Sequence, residues 1–209
     1  MAKFTRQGMG QVEPNQLSAQ KTGQIYASLP LDSKVEVLQN GEFMYYDYKS
    51  GTVTAEGIGE PMLVFNEIKL YEEPYRTTYK DFAMIRVGDN YVTSALATAG
   101  YGDGAETVGA TMATHTEYPY RMDGIAPRMF KTNIGDIMTT NMVAIDAEYA
   151  IGDILEPQAV ETTGKNGSYK TLVLTKTGTD VPVTGMAWVV AKVYTMPDGQ
   201  PGLKLQRVQ

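Results

Sequence analysis

The stretch that decides the fold is KTNIGDIMTTNMVAIDAEYAIGDILEP, Lys131 to Pro157. It carries Ile-Gly-Asp-Ile twice, at Ile134–Ile137 and Ile151–Ile154. A looser copy, Arg86-Val87-Gly88-Asp89, leads towards YVTSAL. An apolar residue followed by Gly-Asp fits a bend in which Gly takes positive φ and Asp bonds the following backbone. The next residues then enter a strand. A calcium loop would need several carboxylates together, and each copy offers one. The repeat therefore reads as three strand entries and not as a ligand loop.

Outward from that stretch, the chain reads as mainly β. Val, Ile and Thr make up about a quarter of the residues, with 14 Tyr and 21 Gly beside them. Such side chains suit a pleated surface, and Gly punctuates turns. KVEVL and EFMYYDY flank Asn40-Gly41, a hairpin signal. Ser50-Gly51 turns the chain again before TVTA, and MLVF, EIKLY and FAMIRV follow. Beyond the repeat, SYKTLVLT, GMAWVVAKVYTM and GLKLQRV are strand-like, with Asn166-Gly167 and Pro197-Asp198-Gly199 as turns. The expected architecture is two β-barrel or sandwich-like units, 34–96 and 126–209. A polar N-terminal arm, 1–33, precedes them, and a long Gly/Thr/Tyr-rich loop, 97–125, joins them. A short helix within Gln16–Ser28 is weakly signalled, and Gly23 interrupts it.

Composition narrows the chemistry. The 209 residues include no cysteine, which excludes disulfides, thiolate metal sites and cysteine nucleophiles. The net charge is −6, and the Lys and Arg residues are scattered. Direct nucleic-acid binding, which needs clustered cations, is not expected. MAKFTRQGMGQ lacks the apolar run of a signal peptide, and no stretch is long enough for a membrane span. The chain reads as soluble, made in a cytoplasm and not membrane-bound.

Catalytic signals are thin. The single histidine, His115, has Glu117 two residues on, but no Gly-x-Ser-x-Gly elbow accompanies it. Gly100–Ala105 matches a relaxed dinucleotide fingerprint, yet ETVGATMATHT after it is a poor helix. Glu72 and Glu73 are adjacent, so on a strand they face opposite ways, and Pro74 follows at once. No catalytic residue, cofactor or metal is expected; a hydrolase using His115 or Glu72 and Glu73 is the least favoured reading.

Contact chemistry is richer. Tyrosines cluster at 45, 46 and 48, at 71, 75 and 79, and at 118 and 120; there are 12 Met against 5 Phe. Tyr brings broad contact area at low entropy cost, and Met adapts to irregular surfaces. Consecutive Tyr45 and Tyr46 must point to opposite faces of a strand. The expected contact residues lie in the arm and the long loop: Phe4, Arg6, Met9, Tyr26, Tyr101, His115, Tyr118, Tyr120 and Arg121.

FTRQGMGQVEPNQLSAQKTGQIYASLPL, LQNGEFMYYDYKSGTV, and the VGD…TSAL and NIGDIMTTNMV units resemble structural proteins of tailed-bacteriophage capsids. In particular the chain resembles the auxiliary decoration or cement proteins. That resemblance implies a virion protein on the capsid exterior, bound to the major capsid protein and locking its neighbours together. A head fibre, or a second copy of the chain, is a further implied partner. The alternative reading is a carbohydrate- or host-surface-binding β module, such as a head-fibre or tail component.

Overall fold

The fold is that of a computed structural model, described for residues 3–6, 10–66, 83–87, 90–93, 126–163, 167–177, 185–196 and 199–209. It is mainly β, with 47% strand and almost no helix, and its antiparallel sheet curls into a half-barrel. In chain order the elements are β1 (Val12–Gln16), α1 (Ser18–Thr22), β2 (Ile25–Tyr26), β3 (Val37–Gln39), β4 (Phe43–Asp47), β5 (Thr52–Thr54) and β6 (Met62–Val64). They continue with β7 (Ala83–Val87), β8 (Asn90–Thr93), β9 (Met129–Phe130), β10 (Ile137–Thr140), β11 (Ile154–Thr163), β12 (Ser168–Lys176), β13 (Trp188–Thr195) and β14 (Pro201–Arg207). The large sheet runs β1-β10-β14-β13-β11-β12-β4-β6-β9-β2, with β5 on β4; β3, β7 and β8 form a second sheet.

This order departs from the expected division at residue 97. β4 pairs with β12 through Phe43 and Leu172, and β6 pairs with β9 through Leu63 and Phe130. Strands from 34–96 and from 126–209 thus share one sheet. The short strands of the first half cannot bury both faces alone, so they borrow partners from the second.

Period-two alternation explains the packing around β4, β6 and β9. Phe43, Leu63 and Phe130 turn to one face, where they meet Leu155, Leu172, Leu174, Trp188, Val190, Leu203 and Leu205. Met44, Met62, Val64 and Met129 turn to the other, against Leu31, Val35, Leu38, Val53 and Tyr169. The three strands are therefore buried on both sides. Tyr45 and Tyr46 do part to opposite faces, each half-buried against a different cluster, and the exposed member of the trio is Tyr48.

The repeated tetrapeptide does the same work twice. In Asn133–Asp136, Gly135 has φ +94°, Asp136 N–H donates to Asn133 O, and Asp136 Oδ2 accepts from Asn133 N–H at 2.9 Å. In Ala150–Asp153, Gly152 has φ +93° and Asp153 Oδ2 accepts from Ala150 N–H at 2.8 Å. β10 and β11 start one residue after each Asp. The Asp bonds backbone three residues back, not the following backbone, and so closes a turn on the threshold of a strand. The third copy divides at Val87, where β7 ends; Gly88-Asp89 lies outside the described residues.

The Asn40-Gly41 signal is a turn without a hairpin. β3 and β4 do not pair: β3 joins β7, while β4 joins β5, β6 and β12. The turn's polar groups are engaged elsewhere. Gly41 N–H donates to Val64 O, Asn40 exchanges hydrogen bonds with the Asn66 backbone, and Glu42 Oε2 accepts from Gln39 N–H. The other hairpins form as the turns suggest: β4–β5 at Ser50-Gly51, β11–β12 and β13–β14.

The N-terminal segment is also part of the body. β1 pairs with β10, Leu17 and Ala19 are buried, and Phe4 N–H and C=O bond Ala147 and Asp146. Helix α1 is the weakly signalled helix, cut to one turn and a half by Gly23 at φ +70°. Its own N-cap, Leu17, has no side-chain acceptor; Asp136 supplies one, taking Ser18 N–H at 2.9 Å and Ser18 Oγ at 3.0 Å. The first Ile-Gly-Asp-Ile thus pins the N-terminal segment to the sheet.

Candidate contact surface

Of the nine expected contact residues, Phe4, Arg6 and Tyr26 fall among the described residues. Phe4 is 6% exposed and meets Tyr149 edge-on, ring centroids 5.6 Å apart. It is a core residue, which corrects its reading as a contact. Arg6 is half-buried, with its guanidinium on the Met142 sulfur and its charge within reach of Glu42. Tyr26 is half-buried, its ring tilted 53° to that of Tyr46 with centroids 5.5 Å apart. Met9, Tyr101, His115, Tyr118, Tyr120 and Arg121 lie outside the described residues, as do Glu72, Glu73 and Gly100–Ala105.

The exposed apolar side chains stand elsewhere. Ile58 is 102% exposed, and Ile134 and Ile151 are 72% and 71% exposed at matched positions of the two turns. Isoleucine is a poor turn residue, because its branched Cβ restricts the backbone, and in solvent it buries nothing. The Asp136 and Asp153 bonds hold two of these side chains out on ordered backbone. Tyr48, 76% exposed, extends an aromatic row: Tyr26–Tyr46 at 5.5 Å and Tyr46–Tyr48 at 5.3 Å. Ser28 N–H donates to the Tyr46 hydroxyl at 3.1 Å and fixes the middle ring.

A cleft of about 490 Å³ opens where β4, the β5–β6 connection, β11 and the C-terminus meet. Tyr45, Glu60, Pro61, Glu156, Pro157, Met186 and Gln209 line it. Behind the wall, Arg207 is 5% exposed and ion-paired to Glu60. Its other donors go to Thr132 O, to Thr132 Oγ1 at 2.9 Å and to Gln209 O at 2.9 Å. Leu203, Leu205 and Arg207 are buried in alternation along β14, and the parity of GLKLQRV is the signal by which this arginine could have been found. Glu156 Oε1 is shut away from solvent and has no hydrogen-bond partner among the described residues.

A buried acid sits under the Asn40-Gly41 turn. Glu42 is 3% exposed and accepts from Gln39 N–H at 2.8 Å and Thr171 Oγ1 at 3.0 Å. Burial pushes its carboxyl up to about 7, against the pull of those two bonds and of Arg6. Tyr169 is raised to about 12 by burial, and then by the charges of Glu42 and Glu36.

No group of three or more His, Asp or Glu among the described residues is placed to hold a metal ion. No described helix is long and apolar enough to cross a membrane. No protein-family model matches the chain, and neither a curated protein nor a solved structure does.

Proposed function

We propose that the chain is a virion structural protein that binds the outer face of a phage capsid and bridges neighbouring major capsid protein subunits. The observation that carries the reading is the set of isoleucines at 58, 134 and 151, held outward on turns. Their burial against a partner stabilises a complex by roughly 1.5–3 kcal/mol for each side chain fully covered. Many copies on one shell multiply weak contacts into durable attachment. The contact is assigned to these turns and not to Phe4, Val12, Leu17 or Ala19, which are buried within the fold. The residues of 97–125 keep the role expected of them as a second contact element.

Co-sedimentation of the purified chain with capsids of the source particle tests the proposal. Wild type binds in saturable, stoichiometric amounts, and Ile58→Asp with Ile134→Asp and Ile151→Asp abolishes binding while the fold persists. Wild type left in the supernatant overturns the reading. A second reading, a carbohydrate- or host-surface-binding module, draws on the Tyr26–Tyr46–Tyr48 row as a sugar-stacking platform. Glycan-array binding that disappears in Tyr48→Ala, without capsid binding, favours that reading.

A further inference from the structure

The longest open strand edge among the described residues belongs to the β11–β12 hairpin. β11 and β12 stay in register from Leu155↔Lys176 to Thr163↔Ser168. β13 pairs with β11 at Ile154 and Leu155, and no described strand takes over beyond Leu155. Residues 158–163 are all exposed. The strands that end the large sheet are shorter, β1 with five residues and β2 with two. The open part of β13 carries a register break between Val190 and Lys192, and both the break and the lysine blunt it. β11 has no such break, and a long, regular, exposed edge is a template for another strand.

Parity fixes which groups this edge presents. Ile154 C=O accepts from Thr177 N–H, so even-numbered residues of β11 turn their backbone groups to β12. The odd-numbered ones turn outward, as Asp153 C=O does in accepting from Val190 N–H. Ala159, Glu161 and Thr163 therefore offer N–H and C=O to the open side, and Pro157 offers its C=O. Proline suits that place, since the N–H it lacks would face solvent. An antiparallel partner must match outward residues with outward residues, which limits a β11–β11 pair to a few registers. Centring a twofold axis on Val160 sets Ala159 opposite Glu161, Gln158 opposite Thr162 and Pro157 opposite Thr163. No like charges meet, and each Glu161 keeps Lys170 opposite it on β12. Centring the axis on Glu161 opposes two carboxylates. Centring it on Ala159 drives Thr163 against Leu155, whose edge β13 already holds.

We propose that β11 pairs antiparallel with β11 of a second copy of this chain, Val160 facing Val160 across a twofold axis. On each side of the axis Ala159 and Glu161 exchange both backbone bonds, and Thr163 N–H donates to Pro157 C=O. The sheet runs on from one copy into the next by strand addition, an isologous contact. It uses none of Ile58, Ile134 and Ile151, so it goes beyond the capsid reading and does not depend on it.

Analytical ultracentrifugation of the isolated full chain over a range of concentrations tests this, together with variants carrying one introduced cysteine. The chain has no cysteine of its own, so each new thiol can pair only with its copy. In the proposed register the Val160 Cα atoms lie about 4.5 Å apart, within disulfide reach. Those of Ala159, or of Glu161, lie roughly 7–8 Å apart. The wild type should form a concentration-dependent dimer, and Val160→Cys should cross-link at least tenfold faster than Ala159→Cys or Glu161→Cys. Ala159→Pro removes an outward N–H without touching the bonds to β12, and it should weaken the dimer at least tenfold. A chain that stays monomeric at millimolar concentration overturns the proposal. Equal cross-linking rates, or a dimer indifferent to Ala159→Pro, overturn it as well. The cross-linking comparison stands even if Ala159→Pro misfolds. A monomer whose Ala159 and Glu161 amides become protected only on adding capsids assigns the edge to a strand of the shell, which also overturns self-pairing.

Discussion

Glu42→Gln should lift a penalty on folding that grows with pH. In the native protein the Glu42 carboxyl is buried and raised to about 7, whereas an exposed glutamate has its ordinary value of 4.5. Between those values the folded state keeps a proton that the unfolded state has lost. Stability therefore falls as pH rises through this window, and below it the contribution is fully present. The gap of about 2.5 pH units at about 1.36 kcal/mol each sets a limit near 3 kcal/mol, most of which is lost between pH 5 and pH 8. Glutamine keeps an oxygen for Gln39 N–H and a donor for Thr171, and it never ionises. Arg6 is charged throughout and shifts the variant by a constant. The decisive quantity is the difference in unfolding free energy, variant minus wild type, from urea denaturation at half-unit steps between pH 5 and 8. It should climb with pH by about 2–3 kcal/mol, moving the urea midpoint by roughly 1 M for an m-value of about 2–3 kcal/mol per molar. Parallel profiles for the two proteins would refute the argument that burial, and not Arg6, dominates this carboxyl.

The other expectations are structural. Asp136→Ala removes the acceptor of Ser18 N–H, Ser18 Oγ and Asn133 N–H, and should cost about 2–3 kcal/mol with faster amide exchange at Ser18 and Asn133. Gly135→Ala and Gly152→Ala meet no neighbouring atoms, so each should cost about 1 kcal/mol by backbone strain alone, additively in urea titrations. Deletion of residues 1–25 strips β1 and uncovers the surfaces on which Phe4 and Leu17 pack, so near-UV circular dichroism should show loss of native packing. Ile58→Asp alone should change the unfolding midpoint negligibly, because that side chain contacts solvent.

Local rules in this sequence were readable wherever the determining partner is near in the chain. The Ile-Gly-Asp turns are closed by side chains three residues away, so residues 134–137 and 151–154 announce both the bend and the strand after it. The β13–β14 hairpin is announced by Pro-Asp-Gly for the same reason. Asn40-Gly41 misled because its amide and carboxylate neighbours bond Asn66, Gln39 and Thr171 and not a facing strand. Phe4 looked free because its ring partner, Tyr149, is more than a hundred positions on. Arg207, behind the cleft wall, went unread, although the inward parity of β14 is the signal that would have found it. Glu60 comes from the β5–β6 connection and Glu156 from β11, and they carry no local pattern.

The pairing of Phe43 with Leu172, 129 positions later, has a consequence for synthesis. β1 likewise waits for β10, and β6 for β9. A growing polypeptide emerging from the ribosome presents Phe43, Met44 and Leu63 long before their partners exist. Sheet closure must follow the emergence of β14, so the half-barrel assembles late and slowly.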